Sequence, residues 1–321
     1  MLLDKIEEAY NNIKDAVNKT PVMTSRTLNK ITSSEVFLKC ENFQRMGAFK
    51  FRGAYNTLSK LSKKEREKGV ITHSSGNHAQ AVALASKILG IQATIVMPKG
   101  APKVKINATR DYGAKIVFCE NNLQSRTDTT EKLISEYGFK LIHPYDNENI
   151  IYGQGTAAFE LIKQVENLDM VIAPLGGGGL LSGTAIATKG LMPHSKVYGV
   201  EPALADDALR SVKAGYIIAS NYPNTIADGL RTSICDRTFS FIKEYVDDIL
   251  TVSEEEIIEA MRFIWERMKI IVEPSGVVPV AAILSQKIKT QGHRIGLILS
   301  VGNIELNEFF SYLENQILNG S

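Results

Sequence analysis

Residues 170–187, which read MVIAPLGGGGLLSGTAIA, contain the pattern from which the fold can be inferred. An apolar run ends in four glycines and a helical pattern follows, so the chain passes from a buried strand through a turn into a helix. Four residues without a Cβ let backbone N–H groups close around a phosphate at the positive end of that helix, and a purely structural turn rarely needs four. Gly176, Gly177, Gly178 and Gly179 therefore predict a phosphate site at the carboxyl end of a strand.

The identity of the phosphate ligand is open at this point. Gly177, Gly179 and Ser182 come near the Gly-x-Gly-x-x-Gly pattern of dinucleotide-binding folds, and Glu201 ends the next strand pattern, where a ribose-binding acid belongs. However, Ser182 takes the place of the third glycine, and no Walker lysine follows the glycines. The pattern disfavours a P-loop nucleotidase and leaves a nucleotide-binding oxidoreductase or a non-catalytic ligand sensor as a remote alternative.

Outside this segment, short β-branched runs alternate with helical patterns. The runs are residues 93–98, 114–120, 169–175, 196–202 and 295–302. Between two of them, residues 76–90 predict a helix that stops at Gly90. This order predicts an α/β fold of two lobes, each a mostly parallel sheet flanked by helices, with ligand sites beyond the carboxyl ends of the strands. We assign residues 69–145 to a small domain and residues 1–68 plus 146–321 to a large domain, with the active site in the cleft between them.

Two further helices are predicted from amphipathic patterns. Residues 1–17 place apolar side chains at helical spacing between charges, unlike the apolar core of a signal peptide. Residues 251–276 predict a long helix with Ser253 as N-cap and Glu256 as its partner in a capping box. Residues 170–188 contain five glycines and a proline and are a poor membrane span, so we expect a cytoplasmic protein.

The composition is that of a globular chain. Its 321 residues, 44% of them hydrophobic, are enough for a large core in two lobes. The formal net charge of +2 comes from 37 basic and 35 acidic residues without long single-sign runs, so neither nucleic acid nor an anionic membrane is an expected partner. Cys40, Cys119 and Cys235 are far apart, which favours free thiols over a disulfide framework or a zinc ribbon. A small neutral or zwitterionic partner is the better expectation.

Lys50 is the first candidate catalytic residue. In QRMGAFKFRGA, residues 44–54, it stands between Phe49 and Phe51 and between two glycines. An apolar setting removes water from the ammonium group, lowers its pKa and leaves a neutral amine that can form a Schiff base. The alternative is a lysine whose stem packs while its head reaches water, and this stretch taken alone favours that alternative.

Two other motifs offer polar groups at the ends of elements. The motif SSGNH places two hydroxyls, a glycine and an amide at a helix N-terminus, which predicts a receptor for a carboxylate; helix capping by Ser75 or Asn77 explains the spacing equally well. Ser300 in LSVGN ends the last strand pattern, either facing the cleft or as a hydroxyl in a turn. His73 and His78 are five residues apart without an acidic partner, so a helical zinc pair is not expected.

Taken together, GAFKFRGA, SSGNHAQ, GGGGLLSG, VEPALADD and LSVGN occur in the order and approximate spacing of the fold-type II pyridoxal-phosphate enzymes, which share the tryptophan synthase β type of fold. The chain resembles their serine racemase and threonine/serine dehydratase family from near its first helix to GNIEL. The departures are small: Ala48 replaces the serine common in the lysine motif, and Ala79 and Gln80 follow His78 as in many dehydratases. The resemblance overturns the surface interpretation of Lys50.

The resemblance implies a cofactor site. Lys50 would carry pyridoxal 5'-phosphate as a Schiff base, with Phe49 against the pyridine ring. Asn77 would contact the phenolic oxygen, and Ser300 would face the ring nitrogen. A neutral hydroxyl leaves that nitrogen largely unprotonated and weakens the electron sink. The further residues implied around the phosphate and the ring are Gly176, Gly177, Gly178, Gly179, Leu180, Gly229 and Glu273.

The resemblance also implies a substrate site and a metal site. The residues that would receive the substrate carboxylate are Ser74, Ser75, Gly76 and His78, with Arg126 and Ser233 nearby. Glu201, the Ala205 carbonyl and Asp207 resemble an all-oxygen site for Mg²⁺, or for Ca²⁺ or Mn²⁺, in place of a ribose-binding role for Glu201. The family further implies a homodimer and, from its animal racemases, a nucleotide effector at the subunit interface.

Ser75 separates the activities of this family. Lys50 supplies one base for the α-proton of the substrate, but racemisation needs a second acid on the opposite face. The related dehydratases usually read Ser-Ala-Gly-Asn-His, and alanine cannot donate a proton. Ser75 therefore predicts a two-base serine racemase with side elimination of serine to pyruvate and ammonia. A dehydratase for L-serine, L-threonine or 3-hydroxyaspartate is the alternative.

Overall fold

The computed structural model describes residues 1–74, 76–101, 103–220, 223–305, 307, 310–312 and 314, and the backbone alone at Lys103, Val104 and Leu123. Ser75, the predicted second base, lies outside the described residues. The strands are β1 (Val22–Met23), β2 (Glu35–Cys40), β3 (Val70–His73), β4 (Ala93–Pro98), β5 (Lys115–Cys119), β6 (Lys140–Leu141), β7 (Met170–Pro174), β8 (Lys196–Pro202), β9 (Asp248–Val252) and β10 (Arg294–Leu299). The helices are α1 (Leu2–Ile13), α2 (Arg26–Thr32), α3 (Lys50–Ser59), α4 (Lys63–Lys68), α5 (Asn77–Leu89), α6 (Lys103–Asp111), α7 (Leu123–Tyr137), α8 (Glu148–Gln164), α9 (Gly179–Leu191), α10 (Asp207–Ala214), α11 (Asp236–Tyr245), α12 (Glu254–Phe263) and α13 (Pro274–Leu284).

The strands form two sheets. The larger sheet has the strand order β1-β2-β10-β7-β8-β9, and the smaller has the order β5-β4-β3-β6. In the described part of the chain, neighbouring strands are parallel except β1 and β2, which are antiparallel. The α/β fold with two mostly parallel sheets, predicted from alternating strand and helix patterns, is confirmed. The predicted helix after β3 runs to Leu89, and Gly90 ends it in the left-handed conformation at φ 66°.

Helices cover both faces of the larger sheet. Leu297 and Ile298 are successive residues of β10, so their side chains point to opposite faces. Leu297 belongs to a core built with α12 and α13, where Val277 is fully buried. Ile298 belongs to a second core built with α1, α8 and α9, where Ile6 and Leu181 are fully buried. The larger sheet is therefore enclosed by apolar packing on both sides, as parallel sheets require.

The smaller sheet shares its core with α3. Phe51 and Leu58 of α3 are fully buried against Ala79 and Val82 of α5. The strands β3 to β6 all fall between residues 69 and 145, the predicted small domain. The division into two domains stays a prediction. The helices α1 and α8 join the two cores, because Ile6 and Ile151 belong to one core and Ile13 and Ile150 belong to the other. No helix among the described residues combines the length and the apolar character that crossing a membrane requires.

The long helix predicted for residues 251–276 is interrupted. Its start is as expected, because the Ser253 hydroxyl accepts from Glu256 N at 3.2 Å and the Glu256 carboxylate accepts from Ser253 N at 2.8 Å. The chain then passes through a π-helical turn and ends at Lys269, which is left-handed with φ 62°. Pro274 begins α13, and a residue before proline avoids the helical conformation, so Glu273 is extended. This break brings Glu273 to β10, where its N–H donates to the Val301 carbonyl at 3.2 Å.

Candidate active site

Lys50 begins α3 on a backbone path that the end of β10 holds in place. Phe49 N donates to the Ser300 carbonyl oxygen at 3.0 Å. Gly47 turns the chain before this contact with φ 73°, and a Cβ at this position would collide with the Asn303 side chain. Glycine is therefore required both by the backbone and by the close approach. The candidate lysine and Ser300 lie next to each other although they are far apart in sequence.

The Lys50 side chain is partly buried. Its Nζ donates to the Pro144 carbonyl oxygen at 3.1 Å and lies 5.2 Å from the centre of the Phe49 ring. Burial lowers the pKa of Lys50 to about 8, because the charged ammonium loses hydration that no carboxylate replaces. This environment disfavours the interpretation in which the amine reaches water.

A cluster of buried charged side chains holds the start of α3 in place. Arg52, two residues after Lys50, is fully buried and donates to Glu41 at 2.7 Å and to Glu160 at 2.8 Å. Lys39 also reaches Glu160 at 2.7 Å. Buried charges persist when they are paired and hydrogen-bonded, as they are here. The cluster ties the first turn of α3 to the end of β2 and to α8.

The four glycines form a cradle between β7 and α9. Gly178 has φ 86°, and a Cβ added to it would lie 2.7 Å from Cβ of Thr238 in α11. A Cβ added to Gly176 would lie 3.0 Å from Cα of Leu230. α9 begins at Gly179, so its free N–H groups and its positive end face this turn. The cradle has the shape and the donors that a phosphate group requires.

Tyr145 forms a wall of the cradle that sequence reasoning missed. A Cβ added to Gly177 would enter the Tyr145 ring, and burial raises the pKa of Tyr145 to about 12. The His143 ring packs edge-on against Tyr145 with centres 4.8 Å apart. His143 Nδ1 accepts from Asp146 N at 2.9 Å, and burial, with the neighbouring His73, lowers the pKa of His143 to about 4. Both side chains are therefore neutral near pH 7.

Asn77, Glu273 and Asn303 form a connected set of side chains. Asn77 Nδ2 donates to Glu273 Oε1 at 2.9 Å, and Asn303 Nδ2 donates to Asn77 Oδ1 at 2.7 Å. Burial, with the charge of Asp228, raises the pKa of Glu273 to about 8. Glu273 Oε2 is buried and has no protein partner among the described residues. Sequence reasoning missed Asn303, although it belongs to the LSVGN motif. Because Asn303 donates to Asn77 Oδ1, it fixes the orientation in which Asn77 Nδ2 points to Glu273.

The predicted carboxylate receptor lies at the start of α5. Gly76 is the N-cap, without a side-chain capping bond, and its N–H donates to Ser74 Oγ at 3.2 Å. α5 begins at Asn77, which therefore does not cap it. His78 is buried with Nε2 3.1 Å from the Ile142 carbonyl, and burial, with the Lys50 charge, holds the pKa of His78 well below its usual range. The role of Ser75 in this receptor falls outside the described residues.

Arg126 and Ser233, the two residues predicted to lie near the substrate carboxylate, differ in their contacts. Arg126 of α7 has a buried Nε without a protein partner in the described part of the chain. Its charge adds to burial in lowering the pKa of His73, which places the guanidinium near the end of β3. The Ser233 hydroxyl, in contrast, accepts from Ser220 N at 2.7 Å and so has a structural partner.

The predicted metal ligands lie together beyond β8. Glu201 accepts from Leu209 N at 3.0 Å and from Ala208 N at 3.2 Å. Burial raises the pKa of Glu201 to about 8 and that of Asp207 to about 6. Asp207 Oδ2 is buried and has no partner among the described residues, while Ala205 ends the short 3-10 turn between the two acids. The described residues contain no cluster of three or more His, Cys, Asp or Glu side chains around a metal-sized space.

Contacts thus link the predicted cofactor residues into one site, whereas Glu201 of β8 and Asp207 of α10 form a second cluster. The first set comprises Phe49, Lys50, Asn77, Gly176, Gly177, Gly178, Gly179, Leu180, Gly229, Glu273 and Ser300.

Comparison with known proteins extends this description. A family model described as pyridoxal-phosphate dependent enzyme matches residues 13–301. L-threo-3-hydroxyaspartate ammonia-lyase of Saccharomyces cerevisiae is 48% identical over 310 residues, which cover 96% of this chain and 95% of that protein. Serine racemase of Dictyostelium discoideum is 48% identical over 315 residues, 97% of either chain. A crystal structure of serine racemase from Dictyostelium discoideum matches with a TM-score of 0.91 and 48% identity, and covers 94% of this chain and 98% of that chain.

Proposed function

The chain belongs to the family of pyridoxal-phosphate dependent enzymes, and on this premise we propose that it is an amino-acid racemase that interconverts L-serine and D-serine. Side elimination of serine to pyruvate and ammonia accompanies this activity. The observation that carries the proposal is the partly buried Lys50 amine, whose pKa is lowered to about 8 and which donates to the carbonyl of Pro144, the residue before the cradle wall Tyr145.

The residues of the site fit pyridoxal phosphate. A Cβ at any of the four glycines would come within 3.0 Å of Leu230, Tyr145 or Thr238, so only glycine fits this turn, and the free N–H groups at the start of α9 suit a phosphate group. Lys50 would hold the aldehyde carbon, Asn77 would offer its amide to the ring, and the unpartnered Glu273 Oε2 would face it. Bound in this way, the cofactor withdraws electrons from the substrate Cα and makes its proton acidic. Ser300 offers a neutral hydroxyl to the ring nitrogen.

Lys50 is the proposed base on one face of the substrate. An amine with a pKa of about 8 accepts a proton and releases it again near neutral pH, which a general acid and base must do. Returned by Lys50 to the same face, the proton regenerates the starting enantiomer. A different proton, donated to the opposite face by the Ser75 hydroxyl, gives the other enantiomer, after which Ser75 regains a proton and Lys50 releases one to solvent. The start of α5, with Ser74, Gly76 and His78, would hold the substrate carboxylate so that Cα lies between the two groups.

Elimination uses the same proton removal. When Lys50 takes the α-proton and the β-hydroxyl leaves as water, hydrolysis of the remaining product gives pyruvate and ammonia. A dicarboxylic substrate, 3-hydroxyaspartate, is the second candidate. Relatives at 48% and 46% identity carry the name L-threo-3-hydroxyaspartate ammonia-lyase. The unpartnered Nε of Arg126 supports this candidate, because a second carboxylate could pair with it. Ser233 is proposed as a weaker substrate contact.

The proposal also includes a metal site, the position of the active site, the oligomeric state, an effector and the cellular location. Glu201, Asp207 and the Ala205 carbonyl are proposed to hold Mg²⁺, or Ca²⁺ or Mn²⁺; the unpartnered Asp207 Oδ2 supports this. The active site is proposed to lie in the cleft between the domains of residues 69–145 and the rest of the chain. A homodimer and a nucleotide effector rest on family resemblance, and a cytoplasmic location rests on the charge pattern and on the free cysteines.

The test is incubation of the purified yellow protein with L-serine and Mg²⁺, with D-serine measured by chiral chromatography and pyruvate measured in the same sample. Ser75→Ala should abolish D-serine formation and leave pyruvate formation within about threefold of the unchanged enzyme, because only the second face loses its proton donor. Ser74→Ala is the matched control and should weaken both activities equally. Equal D-serine formation by Ser75→Ala would refute the two-base assignment. Oxaloacetate from 3-hydroxyaspartate at a higher kcat/KM than either serine reaction would favour the second candidate.

A further inference from the structure

An ion pair crosses from α6 to the edge of the candidate site. Lys105 Nζ lies 2.6 Å from Asp228 Oδ2, and the Lys105 side chain is only 14% exposed, against 44% for Asp228. α6 follows β4 of the smaller sheet, whereas Asp228 lies between α10 and α11 of the larger-sheet part. The pair therefore joins the two parts of the molecule by a contact that is separate from the chain connections between them.

Asp228 stands on a rigid turn beside the cradle. It begins the 3-10 turn Asp228–Leu230, and Gly229 N in that turn donates to Ser275 Oγ at 2.9 Å. A Cβ added to Gly229 would lie 3.7 Å from Glu273 Oε1. Leu230, the last residue of the turn, packs closely against Gly176, where an added Cβ would lie 3.0 Å from Leu230 Cα. Asp228 cannot move without disturbing groups around the proposed cofactor.

Lys105 stands on a helix that supports the substrate side. α6 packs directly on α5, and Ile106 and Tyr112 contact the core that contains Ala79 and Val82 of α5. The first residues of α5 are Asn77 and His78, so a restraint on α6 also restrains the start of α5. Both charges of the pair also reach Glu273, because Asp228 raises the pKa of Glu273 and Lys105 lowers it.

We propose that Lys105 and Asp228 form a latch that holds the smaller-sheet part over the glycine cradle and so keeps the start of α5 at the substrate. Both are positioning residues, since neither is required to touch the reacting atoms. The substrate identity in this inference rests on the proposed function, whereas the closure itself does not. Breaking a latch of this kind raises KM, because the closed geometry is populated less often. It leaves kcat nearly unchanged, because the closed geometry still forms once substrate is bound.

Two readouts on the holoenzyme test the latch. The first is quenching of bound pyridoxal-phosphate fluorescence by acrylamide, a neutral probe of solvent access. The second is KM and kcat for L-serine at about 10 mM and about 150 mM NaCl, between which the Debye length falls from about 30 Å to about 8 Å. Lys105→Met and Asp228→Asn should each raise the quenching constant and KM by about three- to fivefold, with kcat within about twofold. The double variant Lys105→Asp with Asp228→Lys should restore most of the quenching constant and of KM. Added salt should raise KM only in proteins that carry a complementary pair.

A matched control separates the latch from a general loss of surface charge. Lys99→Met breaks an ion pair with Glu120 at 2.5 Å that lies within the smaller-sheet part, so it should change neither readout. If the single variants behave like Lys99→Met, or if the charge swap recovers nothing, the latch is rejected. If one single variant does not fold, the other single variant and the charge-swapped double variant decide whether the latch exists. A protein that fails to turn over L-serine would reject the proposed function, while the quenching series still decides the latch.

Discussion

The lowered pKa of Lys50 predicts how fast the enzyme without its cofactor takes up pyridoxal phosphate at each pH. Only the neutral amine can attack the aldehyde carbon. With a pKa of about 8, roughly 9% of Lys50 is neutral at pH 7, against about 0.04% for an ordinary lysine with a pKa of about 10.4. Burial therefore raises the concentration of the reactive form about 200-fold, which is the magnitude the structure assigns to this environment.

The shape of the pH profile follows from the same number. The rate should rise about ninefold between pH 6 and pH 7, bend near pH 8, and be flat above about pH 9. With an unperturbed lysine, whose pKa is about 10.4, the rate would still rise about sevenfold between pH 9 and pH 10. The assay is stopped-flow mixing of the cofactor-free enzyme with pyridoxal phosphate, followed through the absorbance band of the lysine–cofactor linkage.

A control isolates Lys50 from titration of the cofactor itself. Lys50→Ala binds the cofactor without the covalent linkage, and the pH dependence of that binding is subtracted. A midpoint above pH 10 after this correction would refute the reasoning, because it would mean that the amine is hydrated and that the contact with Pro144 does not exclude water.

The remaining predictions concern the cradle and the buried charges. Gly178→Ala should weaken pyridoxal-phosphate binding at least tenfold, because the residue has φ 86° and the new Cβ would lie 2.7 Å from Thr238; equilibrium dialysis measures this. Gly215→Ala is the matched control, with φ 83° and open space around its Cβ, so it should cost stability alone, and equal loss of binding in both variants would contradict the cradle. Arg52→Met should lower the free energy of unfolding by about 3–5 kcal/mol in urea titrations, because it removes the ion-pair partner of the buried Glu41 carboxylate and leaves Glu160 with Lys39 alone; a loss below about 1 kcal/mol would show that water compensates the lost pairing.

Much of the local structure was predictable from neighbouring residues. β4 and β8 have the predicted bounds, and the Ser253 cap begins α12 as expected. These features depend on side-chain period and on capping within a few residues, which a sequence displays directly. The predicted helix over residues 251–276 was wrong beyond Met268, because Lys269 turns left-handed and ends the helical path, and Pro274 keeps Glu273 extended before α13 begins.

The candidate site was predictable only in part. Lys50, Ser300 and the four glycines stand in motifs whose residue types suggest their chemistry, and the order of these motifs identifies the family. Tyr145 and Asn303 carry no such signal on their own, since a tyrosine after proline and an asparagine after a strand are common. Their importance comes from the backbone positions they approach, Gly177 and Gly47, which only the folded chain brings near them.

The α/β fold, the family and the chemical types of the site residues could be inferred from the sequence, because periodicity and motifs are local properties of the chain. The environment of those residues depends on the folded chain. The Lys50 amine has a low pKa because Pro144 and the surrounding core exclude water, and Lys105 meets Asp228 because two separate sheets face each other. Desolvation and ion pairing act through space at a few ångströms, so they depend on which distant segments pack together and not on the order of residues along the chain.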